Sequence, residues 1–176
     1  MYKIALTFVL LMSVAFSANA EQKKFYFGLT LGGIEYQESD FSTSLTAFTG
    51  RFGYAILENL DVEGRYISTP SSGSDGDAEL SIDAMASALI KYKLFLQPDR
   101  RVNVHGFLGT TVARTSSNRG GDTTVSNGGL SLGLGADFYV DDKRGVNIEW
   151  IHYMNAEARH EDFSMDYLGI GYIQWF

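Results

Sequence analysis

The chain has 176 residues, with 14 Lys and Arg against 21 Asp and Glu for a net charge of −7, no cysteine and two prolines. That length suits one domain, the acidic balance argues against a nucleic-acid partner, and the lack of thiols excludes disulfide bonding and thiolate chemistry. Nineteen glycines and an aromatic content of 14%, beside scarce proline, point to a chain made mostly of strand.

At the amino terminus Lys3 precedes an apolar run from Ala5 to Phe16, closed by Ser17-Ala18-Asn19-Ala20. One basic residue, a short apolar segment and a small-x-small ending predict a secretory signal cleaved after Ala20. The run is too short for a spanning helix, which needs about 20 apolar residues. The chain therefore divides into a signal at 1–20 and one mature domain at 21–176, in which no later stretch is long and apolar enough to be a transmembrane helix.

Period-2 alternation then dominates. The first strand, Phe25 to Tyr36, sets Phe25, Phe27, Leu29 and Leu31 against Tyr26, Gly28 and Thr30. After a polar turn at Gln37–Asp40, a second strand runs to about Ile56, with Phe48, Phe52 and Tyr54 opposite Thr49, Arg51 and Gly53. Leu57-Glu58-Asn59 turns into a third, where Leu60, Val62, Gly64 and Tyr66 oppose Asp61, Glu63 and Arg65. Pro70 to Asp77 reads as a flexible loop.

The fourth strand carries apolar residues at every even position from Leu80 through Ile82, Ala84, Ala86, Ala88, Ile90 and Tyr92 to Leu94, which fits period 2 rather than 3.6. A turn at Gln97–Arg101 leads to a fifth strand, with Val102, Val104, Leu108 and Val112 opposite Asn103, His105, Gly109 and Thr111. A Ser/Asn/Gly loop from Thr115 to Thr124 precedes a sixth, Leu130 to Val140, whose other face holds Ser131, Gly133, Gly135, Asp137 and Tyr139. After the turn Asp141–Gly145, Val146, Ile148 and Trp150 open a seventh strand opposite Asn147 and Glu149, and the polar loop Glu157–Asp162 leads to the last. That final strand, Phe163 to Phe176, places Leu168, Ile170, Tyr172 and Phe176 in one row and ends on an exposed aromatic residue.

Eight strands allow the first and last to pair antiparallel and close the sheet with both ends of the chain on one side. The expected fold is all-β: an eight-stranded antiparallel up-and-down transmembrane β-barrel following a cleaved signal peptide. Short charged turns follow the second, fourth and sixth strands, and longer Ser/Gly loops follow the third and fifth, as for a barrel with periplasmic turns and external loops. A soluble barrel with an apolar interior would alternate in the same way, but it gives no reason to end on Phe176.

If the apolar parity faces lipid, the opposite parity fills a narrow lumen. There Arg51, Arg65, Lys91, His105, Asp137 and Glu149 form a polar layer, with Glu63 inside it and Asp83 and Lys93 as possible additions. The arginines of strands two and three lie opposite the carboxylates of strands six and seven, and buried charge is tolerable only when so paired. Phe25, Phe27, Tyr92, Phe138 and Phe176 suit an inner aromatic girdle; Tyr36, Phe41, Tyr66 and Trp150 suit an outer one.

The signal ending at Ala20, the segment Glu58-Asn-Leu-Asp-Val-Glu-Gly-Arg-Tyr66 and the terminal Tyr172-Ile-Gln-Trp-Phe176 together resemble the small Gram-negative outer-membrane β-barrel family, which includes the opacity-type proteins and the transmembrane domain of OmpA-like proteins. Gln174 departs from its terminal pattern, which has an apolar residue there. The resemblance covers essentially the whole mature chain. It implies an outer-membrane address, lipid and lipopolysaccharide as surroundings, and recognition of Leu168, Ile170, Tyr172 and Phe176 by the barrel-assembly machinery. Activity follows poorly from such a fold.

His152-Tyr-Met-Asn-Ala156 is similar to the His-x-Ser-Asn segment of outer-membrane lipid A deacylases. Met154 stands where that family has its nucleophile, and a thioether cannot be deprotonated into one. His152 therefore reads as an interfacial residue near Trp150 and Tyr153, and His160 as part of a solvated loop. The expectation is a non-enzymatic monomer with no cofactor, no metal, no nucleic-acid partner and a structural or surface-interaction role. Its rival is a small-solute pore.

Overall fold

The computed structural model describes residues 25–38, 41–70, 72–75, 78–96, 101–117, 123–154 and 163–176. The segment 1–20 expected to be a signal, His160 and the expected loop Glu157–Asp162 lie outside these. Among the described residues there are nine strands: β1 (Phe25–Glu38), β2 (Phe41–Leu57), β3 (Leu60–Ser68), β4 (Gly73–Asp75), β5 (Ala78–Leu96), β6 (Val102–Ser117), β7 (Thr123–Tyr139), β8 (Arg144–Met154) and β9 (Phe163–Trp175). Eight form a closed antiparallel ring in chain order, with β1 pairing both β2 and β9. The ninth, β4, pairs only with the start of β5.

The ladder registers fix the shape of the ring. Starting at Glu35, cross-strand partners run through Asp166, His152, Leu132, Leu108, Ile90, Val62 and Tyr54 and return to β1 at Phe25, ten residues away. A stagger of ten residues over eight strands tilts each strand by about 40° to the barrel axis. Outward residues are apolar over about nine positions per strand, as from Leu130 to Phe138 on β7, which with that tilt spans about 24 Å, the height of a lipid-facing band.

Above this band the strands continue and their amphipathicity inverts. On β2, Phe48, Phe52 and Ile56 point outward and Thr49 and Arg51 inward. Higher on the same strand, Ser42, Ser44 and Thr46 point outward while Leu45 and Ala47 are buried. The upper barrel is thus a collar with a polar outside and an apolar core built from residues such as Ile34, Leu45, Ile67, Leu80, Ile82 and Met85.

β5 makes the same inversion by a different device. Its unbroken even-numbered apolar row does not share one face. A bulge between Ile82 and Ala84 inserts Asp83, so Leu80 and Ile82 point into the collar while Ala86, Ala88, Ile90, Tyr92 and Leu94 face lipid. The extra residue reverses the parity where the surroundings change from water to lipid.

Other boundaries also differ from expectation. Gln37 and Glu38 belong to β1 instead of to a turn, and β7 begins at Thr123, seven residues before the apolar row at Leu130. In both places a polar run of sequence hides strand, and at Gln37 the side chain is exposed on the outward face of the collar. The loop read at Pro70–Asp77 contains β4. Of the outer aromatic girdle, Tyr66 and Trp150 are exposed, but Tyr36 is 4% exposed and points into the collar.

Candidate functional site

The lumen gathers every charged residue of the membrane-spanning strands that points inward. Arg51 comes from β2, Asp61, Glu63 and Arg65 from β3, Lys91 and Lys93 from β5, Asp137 from β7 and Glu149 from β8. Each side chain is sealed from solvent apart from a small exposure of Lys93. Among the described residues four cations meet four carboxylates, so their formal charges balance.

Two groups can be distinguished. At the centre, Arg51 Nη2 donates to Glu63 Oε2 at 2.8 Å, and Arg65 grips Glu149 with Nη1–Oε1 at 2.7 Å and Nη2–Oε2 at 2.9 Å. The same pairs cross-link: Arg51 Nη1 lies 3.0 Å from Glu149 Oε2, and Arg65 Nε donates to Glu63. Planar guanidinium groups can serve two carboxylates at once, which a single ammonium cannot do with fixed geometry. Phe107 roofs the cluster, its ring centre 4.5 Å from the Arg65 guanidinium carbon.

Nearer the periplasmic end, Lys91 Nζ is 2.6 Å from Asp137 Oδ2 and Lys93 Nζ is 2.9 Å from Asp61 Oδ1. His105 stands beside them, Nδ1 3.3 Å from the carbonyl oxygen of Asn103 and 3.6 Å from Asp137 Oδ2. An aromatic floor closes this end. Tyr26 and Trp175 rings pack with centroids 4.6 Å apart, Trp175 Nε1 donates to the Tyr139 hydroxyl at 3.1 Å, and Tyr139 donates to Asp137 at 3.3 Å. Above the arginines a hydroxyl chain, Ser87–Thr111–Ser131, links three strands with two contacts of 2.7 Å, and the apolar collar core follows.

All seven residues named from the sequence as an interior layer, Arg51, Glu63, Arg65, Lys91, His105, Asp137 and Glu149, point into this lumen and are buried. Lys93 joins them. Asp83 does not: the bulge turns it outward, where it accepts from Ser116 at 2.9 Å and lies 3.5 Å from Arg114. Sequence reasoning left out Asp61, the partner of Lys93, although it shares the parity of Glu63. Phe107, Tyr26 and Trp175 were also missed: they lie on the lumen parity but carry no charge to mark them, and they form the roof and floor of the layer. Leu168, Ile170, Tyr172 and Phe176 form an exposed outward row, and Phe176 N donates to the Phe25 carbonyl at 2.8 Å.

His152 sits at the upper edge of the lipid band, its Nδ1 3.0 Å from Asp166 Oδ1 and its ring stacked near Trp150 at 6.2 Å. Among the described residues no group of three or more His, Cys, Asp or Glu is placed to hold a metal ion, and no helix is long and apolar enough to cross a membrane.

Comparison with known proteins points the same way as the geometry. A search of curated sequences found no match. Among solved structures, Neisserial surface protein A is similar with a TM-score of 0.69 at 17% identity, covering 86% of this chain and 97% of that one. Ail, the attachment invasion locus protein of Yersinia pestis, gives 0.58 at 14% identity over 86% and 99%. The outer membrane protein OprG from Pseudomonas aeruginosa gives 0.57 at 12% over 88% and 97%. At these identities the likeness speaks for the fold. The model of the outer membrane protein beta-barrel domain matches residues 4–172, nearly the whole chain. The chain belongs to the outer membrane protein β-barrel domain family, and its place is the outer membrane.

Proposed function

We propose that this barrel is a sealed scaffold that presents its polar collar and outer loops at the cell surface, with a structural or surface-interaction role and without catalysis. The observation that carries the reading is the filled lumen. Two cross-linked arginine–carboxylate pairs sit at the centre and two lysine–carboxylate pairs below them, with an aromatic floor at the periplasmic end and an apolar core above. Passage of an ion would require breaking charge-assisted bonds and then crossing a dry apolar plug, and both steps are costly. The pore reading is the weaker one for that reason.

In the same reading the signal is removed after Ala20, and the outward row Leu168, Ile170, Tyr172 and Phe176 is what the assembly machinery engages. The mature barrel stands as a monomer among lipid and lipopolysaccharide. His152 and Asp166 form an interfacial pair, since Met154 supplies no attacking atom. Solute flux through refolded protein in liposomes tests the proposal. Wild type is expected to pass no ions above the lipid background; sustained conductance would overturn the sealed scaffold in favour of a pore.

A further inference from the structure

We propose that the lower lumen holds a file of buried water molecules whose upper member clasps the seam where the first and last strands meet. Five residues lie side by side on one cross-strand row that climbs from the periplasmic end: Asn103 on β6, Asp137 on β7, Asn147 on β8, Gly171 on β9 and Thr30 on β1. The four with side chains are buried, Asn147 and Asp137 completely, Thr30 and Asn103 to 3% exposure. Yet Thr30 Oγ1, both polar side-chain atoms of Asn147, Asp137 Oδ1 and Asn103 Oδ1 have no hydrogen-bond partner among the described residues. His105 Nε2, which faces Gly135 on the same wall, has none either. A buried polar group without a partner is costly, and so many along one row point to a shared occupant.

The unmet groups fix the chemistry of that occupant. His105 Nδ1 is 3.3 Å from the Asn103 carbonyl oxygen, so the ring proton sits there and Nε2 is an acceptor. Thr30 Oγ1, Asn103 Oδ1, Asp137 Oδ1, Asn147 Oδ1 and His105 Nε2 all offer lone pairs. Against them stand only the Asn147 amide and the Thr30 hydroxyl proton as donors. The occupant must therefore satisfy acceptors. A metal ion or an ammonium group would add positive charge where the formal charges of the described lumen already balance, and buried unbalanced charge is heavily penalised. Water donates and accepts, and it adds no charge.

Glycine makes the room. A Cβ on Gly171 would fall 2.5 Å from Thr30 Oγ1 and 2.8 Å from Asn147 Oδ1. Two oxygens so close to one point lie within the span of a single bridging water, each of whose bonds reaches about 2.8 Å. Such a water joins β1 to β8 across β9, whose lumen side at this level carries only Gly169 and Gly171. It supplies at the seam the side-chain link that the last strand lacks. Below it, Asn147 Nδ2, Asp137 Oδ1 and Asn103 Oδ1 continue the file toward the periplasmic end.

The test uses the refolded protein in lipid nanodiscs. Rotating-frame Overhauser spectra are expected to show a contact between water and the Asn147 side-chain amide; its absence would overturn the proposal. Urea unfolding in lipid vesicles then compares Thr30→Val, Asn147→Leu and the double variant. If nothing bridged the two residues, each apolar substitution would remove an unpartnered buried group and raise the midpoint. With the water in place, each single substitution is expected to lower the midpoint. The double variant is expected to lie above the worse single one, because the water and both of its partners leave together. Thr30→Ser keeps the hydroxyl and is expected to keep the water contact. A raised midpoint in both single variants, or additive losses in the double, would overturn the proposal. So would a midpoint that climbs with sodium but not with choline at equal ionic strength, which would assign the site to a cation.

Discussion

Arg65 and Glu149 are 84 positions apart in the chain and meet across the lumen in a two-pronged ion pair of 2.7 and 2.9 Å. Because the formal charges of the described lumen residues balance, removing either partner alone leaves one unbalanced buried charge. Arg65→Met is expected to destabilise the barrel by about 3–5 kcal/mol, and Glu149→Leu by a similar amount. The double variant keeps Arg51 with Glu63 and restores neutrality, so it should recover most of the loss. Urea unfolding in lipid vesicles, read by tryptophan fluorescence, measures all three. Additive losses in the double variant would show that the two residues do not act as a pair.

Gly53 lies under the Tyr26 ring, where a Cβ would fall 2.0 Å from Tyr26 Cζ. That ring carries its hydroxyl to Glu63 at 2.5 Å. Gly53→Ala must push the ring aside and break the bond, with an expected cost of about 1–3 kcal/mol. Tyr26→Phe loses the hydroxyl but keeps the ring, and should cost less. The same unfolding assay ranks the two, and a larger loss for the phenylalanine variant would contradict the steric account.

Deleting Asp83 removes the bulge on β5 and leaves Ile82 next to Ala84 in regular alternation, so Leu80 and Ile82 stay in the collar core while Ala86 to Leu94 keep their ladder with β3. The expected variant folds as a heat-modifiable barrel on gels and keeps the dispersed NMR signals of the upper parts of β1, β2 and β5. Loss of those signals would show that the bulge itself, and not only the inward row it positions, holds the collar together.

In the turn between β7 and β8, the Arg144 side chain donates to Asp141 at 2.7 Å, and the backbone amides of Lys143 and Arg144 add bonds of 2.9 and 2.8 Å. These bonds hold the Asp141 carboxyl at about 2, below its usual range, with the Arg144 side chain the largest contributor. A depressed carboxyl contributes stability above its unfolded value of about 3.9 and loses it as pH falls toward 2. NMR titration should find the Asp141 midpoint near 2 in wild type and nearer the ordinary value in Arg144→Gln. No movement would show that the backbone bonds alone set it.

The parity of the membrane strands was legible residue by residue, because lipid outside and charge inside leave contrasting residues at alternate positions. Asp61, Glu63 and Arg65 against Val62, Gly64 and Tyr66 admit only one register. The central layer was legible for the same reason, since arginine on a lumen parity requires a carboxylate within reach. The collar was not. Its strands alternate apolar and polar just as the membrane strands do, with the faces exchanged, and in β5 the bulge lets one unbroken row of apolar residues serve both regimes. Tyr36 and Asp83 were misplaced for that single cause. Alternation tells which residues share a side; it does not tell which solvent that side meets.

The level at which the strands exchange faces also acts as a waterline. Below it Phe48, Val112 and Leu168 match hydrocarbon; one step above stand Thr46, Arg114 and Asp166. A thicker bilayer would have to submerge hydroxyls and charges or thin around the protein, at a fraction of a kcal/mol per ångström of mismatch. This barrel is cut for a thin membrane, and its draught is fixed by where its inward and outward rows trade places.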